Sequence, residues 1–217
     1  MAGRGDQTLN CVPMPDPLDV ALKEWHAVTR ALAIGRQIVL LRKGGIHETV
    51  GVFQVEHMRF ALFPTWLHQN VDWIKPADRG GTTTRSVDPD ELSIEAWGEV
   101  TDVVRVPSRA AMDAVGDAHI YLPPLIDMRF NYKPHNPLYL LIVRAWRSAA
   151  AVTIANTPAY AGCRSWVPLE RAIQTDGSVA ALDETAFAAR RQRILDTFTA
   201  HGGGTASGGA ISGGAVT

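Results

Sequence analysis

The chain has 217 residues and a formal net charge of −1. That near-neutral balance excludes attraction of the whole molecule to nucleic acid or membrane, so any anion site must be local. Hydrophobic residues make up 46% and charged residues 20%, a globular and not a disordered composition, and the low-complexity ends leave roughly 150–165 residues for one ordinary domain.

Residues 1–15, with Pro13 and Pro15 among Gly, Asp and Asn, read as a flexible leader. Residues 16–172 are expected to form a single α+β domain, 173–200 a C-terminal amphipathic helical segment, and 201–217 a disordered Gly/Ser-rich tail. The longest strongly apolar run, Leu138–Val143, is too short to span a bilayer. The N-terminus has no apolar signal core. Cys11 and Cys163 lie far apart, which argues against a structural disulfide and excludes a four-cysteine zinc site within one chain. A cytoplasmic setting away from membranes is expected.

In chain order, Asp16 and Pro17 suit a helix start, and Leu18, Leu22, Trp25, Val28 and Leu32 recur at helical spacing until Gly35 stops them. Gln37–Lys43 is apolar on both faces and reads as a central strand. Phe53–His57 and Phe60–Phe63 read as strands around a polar corner. Thr65 is placed to cap a short helix reaching about Ile74 and ended by Pro76. Asp78–Pro89 is a loop. Ile94–Val106 reads as a long strand with Ile94, Ala96, Val100, Val104 and Val106 on one face. Ser108 caps a small helix that Gly116 ends, and Pro123–Phe130 forms another helical turn. Leu138–Arg147, Val152–Ile154 and Arg164–Leu169 complete the strands. Asp183–Thr199 is a final helix with Phe187, Ile194, Leu195 and Phe198 at helical spacing. Short strands between turns and brief helices predict a mixed or antiparallel sheet, a partly closed barrel with flanking short helices.

The densest chemistry runs from Gly35 to Gln69. Arg42 and Lys43 enter a Gly44-Gly45 turn whose backbone N–H groups could cradle a phosphate or carboxylate. The plainer reading is a charged strand end feeding a glycine turn, and no P-loop follows. His68 and Gln69 fall in the first turn of the expected helix, where free N–H groups attract anions. Alternatively, His68 packs between Trp66 and Trp73.

Glu56 and His57, with His47 and Glu48, raise a metal question, but no metal-binding spacing exists and no metal or other cofactor is expected. On one strand, Glu56 and His57 would point to opposite faces. Cys163 beside Arg164 reads as a small buried thiol before it reads as a nucleophile. Arg129-Phe-Asn-Tyr-Lys-Pro-His135 mixes cations with aromatics, a pattern that can stack bases while pairing phosphates or can simply snorkel over apolar surface.

The segments Ala21-Leu-Lys-Glu-Trp25, Arg42-Lys-Gly-Gly-Ile46, Phe63-Pro-Thr-Trp-Leu-His-Gln69 and Gly162-Cys-Arg-Ser-Trp166 together resemble an uncharacterised bacterial family, a domain of unknown function of about this size. That resemblance spans roughly Leu18 to Glu170 and implies no activity. Gly35-Arg-Gln-Ile-Val-Leu-Leu-Arg42 is similar to the opening strand of PUA-like and ASCH-like barrels, with Glu99–Val106 and Leu138–Arg147 following in a compatible order. Gln37 and Ile38 depart from the usual basic residue and Thr, and the stretch from Ile46 to Leu92 is a long insertion. The likeness implies an RNA-binding role.

These readings converge on a binding module for nucleic acid or a nucleotide, with RNA or a nucleotide as partner. Its cationic cleft would draw on Arg42, Lys43, Gly44, Gly45, Arg59, His68, Gln69, Arg129 and Arg164. The alternative is an enzyme acting on a phosphate- or carboxylate-bearing small molecule, with Glu56 or His57 as general base.

Overall fold

A computed structural model describes residues 16–43, 55–83, 85–162 and 164–203. The leader, the Gly44-Gly45 turn, His47, Glu48, Cys163, the tail beyond 203 and the first part of the expected Phe53–His57 strand lie outside the described residues.

The first expected helix divides into two elements. Strand β1, Leu18–Trp25, runs into helix α1, His26–Ala33. The spacing of Leu18, Leu22 and Trp25 fits a helix, but this segment sits between two partner strands and is buried on both faces, with Ala21 and Leu22 fully inaccessible. Tertiary pairing overrides local propensity there. Gly35 ends the helical part as expected, at φ +68, with no room for a side chain: a Cβ would lie 2.5 Å from the Ala181 carbonyl oxygen.

The remaining elements are β2 (Val39–Lys43), β3 (Arg59–Thr65), β4 (Glu91–Arg105), α2 (Arg109–Ala114), α3 (Pro123–Asn131), β5 (Leu138–Ala155), β6 (Trp166–Ile173), β7 (Val179–Ala180) and α4 (Glu184–Ala200). Ser108 caps α2 through a bond accepted from the Ala111 N–H, and Asp183 caps α4 from the Ala186 N–H. The expected helix after Thr65 is instead a turn and a short 3₁₀ segment, Val71–Trp73, capped by Asn70. Val55–His57 is not a strand, and Val152–Ile154 is the far end of β5.

The strands form one mixed α+β sheet in the order β2-β5-β4-β3-β1-β6, with β7 on β5. Among the described residues, only the β1–β3 pair is parallel. The strand read as central, β2, is therefore an edge strand on this path. It is apolar on both faces because the sheet curls over it: Glu24 on β1 and Arg42 on β2 form a buried ion pair. Four strand spacings in a flat sheet would separate them by about 19 Å, so the contact requires a partly closed barrel.

The main core fills that curl and takes Phe187, Ile194 and Phe198 from α4. Arg190 bonds the Gly35 carbonyl, and Arg191 chelates Asp102 at 2.6 Å. A second cluster lies on the other sheet face, around Phe63, Ile94, Trp97, Tyr160 and Val167. Ile94 was expected beside Ala96, but the β4–β5 register shifts between them, which sends the two residues to different cores. Within this second cluster the Trp97–Trp146 rings stack in parallel, and with Arg59 and Arg144 they form a cation–π ladder that runs on to Phe187 of α4.

His119 is buried and accepts a hydrogen bond from the Tyr121 N–H through Nδ1. Burial, and then the Lys75 ammonium, push its pKa from 6.5 to about 4. The folded state thus holds fewer protons here than the unfolded chain below pH 6.5. Stability from this group is complete above that pH and declines toward pH 4, by about 3 kcal/mol at the acid limit. Urea titrations across this range should show a slope that His119→Phe removes. In the same assay Gly35→Ala should cost at least about 2 kcal/mol, since it forces both a positive φ and a backbone clash.

Candidate functional site

The structure sorts the sequence-predicted residues into three neighbourhoods. In the first, Arg42 is committed to Glu24, and Lys43 donates to the Phe130 carbonyl while lying over that ring at 6.0 Å. Arg129 lines a crevice with Glu24, Trp25, Val28, Leu41, Tyr121 and Leu125, of about 10 Å³. That is room for about one water molecule. The β1–β6 register pairs Leu22 with Trp166, and the Lys23 N–H donates to the Ser165 carbonyl at 2.8 Å. Extended one step, it sets exposed Arg164 opposite Glu24. Arg42 and Arg129 thus meet at one buried carboxylate, while Lys43 turns to Phe130.

The second neighbourhood lies at the start of β3. Glu56 and His57 lie outside any strand and are neighbours, with His57 Nε2 3.7 Å from the Glu56 carboxylate and its ring edge-on to Trp166. Arg59 lies over Trp97 at 5.1 Å. No group of three or more metal-ligating side chains occurs among the described residues.

The third neighbourhood holds His68 and Gln69 beside a larger recess, of whose lining only Trp66 had been considered from sequence, as a packing partner of His68. Its floor is Leu62, Pro64 and Ala96, and its walls are His26, Thr29, Arg30, Trp66, Ser93 and Glu95, around about 80 Å³. Helix α1 separates it from the Arg42 crevice, to which it gives Val28. The His26 ring stacks on Trp66 at 4.5 Å and 17°, and Arg85 lies 5.7 Å over the same indole. Burial, then the Arg30 charge, lowers the His26 pKa, with Glu95 opposing and Arg85 assisting. His26 is therefore neutral at pH 7. Its Nδ1 is buried and without a hydrogen-bond partner among the described residues.

Three segments build this recess, and Gln69 joins them. Its Oε1 accepts from the Ala27 N–H at 2.9 Å, which caps α1 in place of the N-cap residue Trp25, and its Nε2 donates to the Thr83 carbonyl at 3.0 Å. Trp66 is fixed separately: Asp88 accepts bonds from the Thr65 hydroxyl and from the Trp66 and Leu67 N–H groups, the shortest at 2.6 Å. His68 is exposed and occupies φ 62 in the turn between them, not the first turn of a helix. Gln69 is thus a positioning residue beside the recess. Glu95 sits where the β4–β5 register shifts, and such irregularities commonly re-aim a side chain.

The architecture is that of an α+β domain on a mixed, partly closed sheet. The chain belongs to the family described as a domain of unknown function, DUF1802, whose match spans residues 21–193. Among solved structures, the chain is similar to the ASCH protein of Zymomonas mobilis at 10% identity and TM-score 0.43, over 83% of this chain and 96% of that one. A single-site variant of it matches at 11% identity and TM-score 0.42, over 70% and 90%. At that similarity no residue role carries across. No curated protein matches the chain as a relative.

Gln69→Ala should cost about 1–3 kcal/mol, because the Ala27 N–H and Thr83 carbonyl lose their partner in a buried setting. Amide exchange at Ala27 should accelerate. Gln69→Glu, which keeps the cap but turns a second acceptor on Thr83, should recover only part of the loss.

Proposed function

We propose that this domain binds single-stranded nucleic acid at the recess between α1 and Trp66, without catalysing a reaction. The observation that carries this reading is the His26–Trp66 stack flanked by Arg85 and Arg30 on an otherwise near-neutral protein. Aromatic faces beside guanidinium groups suit bases and phosphates together.

Size favours a polymer over a free nucleotide. The recess is about half the roughly 150 Å³ that encloses one benzene in a buried cavity. It can receive the edge of one base, whereas a small-molecule site would enclose most of its ligand. The rest of the strand must lie outside, where Arg85 stands exposed with only a 3.4 Å hydrogen bond to Thr83. The Arg30 guanidinium forms no ion pair or hydrogen bond among the described residues and is free to meet an anion. The Arg42 neighbourhood serves the fold instead, since its arginine is consumed by Glu24 and its crevice admits about one water.

Fluorescence anisotropy of the full chain with short mixed-sequence RNA and DNA tests this at two salt concentrations. Arg85→Ala should weaken binding and lower the salt slope by about 1. Trp66→Leu should cost about 1–3 kcal/mol of stacking. Neither should shift the melting temperature as much as Arg42→Ala. Absence of binding at low salt, or equal loss in all three variants, would overturn the proposal.

A further inference from the structure

We infer that the recess takes the base and not the phosphate, and that Glu95 selects a base bearing an exocyclic amino group over uracil or thymine. The inference rests on the nucleic-acid reading of the same site.

Three observations carry it. First, Glu95 lines the recess, and its carboxylate makes no ion pair or hydrogen bond among the described residues. An entering phosphate would meet that carboxylate, while Arg85 offers positive charge outside, over Trp66. The strand is therefore oriented with its base inward and its backbone toward Arg85. Second, Arg30 and Glu95 offset each other and leave the lining without net charge, and its other polar groups are small and neutral: Thr29, Ser93 and the unpartnered, buried Nδ1 of His26. Such groups match the edge of a base and lack the charge to balance an anion. The Thr29 hydroxyl already donates to the His26 carbonyl at 2.9 Å, which leaves its oxygen as an acceptor. Third, a carboxylate only accepts hydrogen bonds.

Cytosine presents an amino donor at its edge, the usual partner of a Glu side chain. Uracil presents one N–H between two carbonyl oxygens, both of which would face the carboxylate. Arg30, on the α1 wall, supplies donors for the adjoining base acceptors.

Equal-length oligocytidylate and oligouridylate isolate the choice, because the rings match in size and differ at this edge. Their dissociation constants for the full-length protein would be compared at neutral pH and low salt. Cytidylate should bind at least about five-fold more tightly. Glu95→Gln, a substitution at an exposed residue, should leave the melting temperature unchanged. It should also collapse or reverse the ratio, since an amide can donate to a carbonyl. Equal affinities for the two oligomers, or a ratio unchanged by Glu95→Gln, would overturn base selection while leaving nucleic-acid binding intact. Failure of both oligomers to bind would overturn the broader reading with it.

Discussion

The fold depends on one ion pair placed where two distant strands meet. Glu24 and Arg42 belong to strands separated by three others, and their contact holds the curl that encloses the main core. Both side chains are largely buried, so neither is satisfied by water if the other is removed. Breaking such a pair leaves an uncompensated charge, typically at a cost of about 3–5 kcal/mol, even where the intact pair contributes little net stability. Its value here is geometric. The pair fixes how far the sheet closes, and with it where α1 rests between the small crevice and the recess.

Basic residues in this chain divide by occupation. Arg36 bonds Asp78, Arg109 bonds Asp113 and Asp127, and Arg191 and Arg193 bind Asp102 and Asp117. These tie helices and loops to one another and, through Asp102, α4 to the sheet, and are not available to a ligand. Arg30 and Arg85 differ because they stand beside a recess with no acidic partner of their own. A count of arginines would miss the distinction, since it depends on what the fold places opposite each one.

The class of fold was legible because it follows from local signals. Ser108 and Asp183 before helical segments, Gly35 after one, and the doubly apolar run at Leu138 all act within a few residues of themselves. The errors arose where distant pairing decided the outcome. Leu18–Trp25 has helical spacing, yet becomes a strand because strands pair along both its edges and the two cores bury its two faces. Arg42 and Lys43 looked available because Glu24 and the Phe130 carbonyl lie far away in sequence. Gln69 was noticed for the right neighbourhood and the wrong reason. Its partners, Ala27 and Thr83, are 42 and 14 residues away. Glu95 gave no signal, because the register shift that exposes it belongs to the β4–β5 pairing.

The long reach of Gln69 bears on when the recess comes into being. An eight-residue helix is too short to persist alone in water, and the cap that starts α1 arrives from beyond β3. The wall bearing His26 and Arg30 therefore cannot be ordered until that strand has docked and the turn after Trp66 has closed. On the proposed reading, a nascent chain would expose no half-formed platform to nucleic acid, and a cut within the loop near Thr83 would dismantle the recess while leaving most of the sheet intact. Competence to bind would thus report completion of the fold.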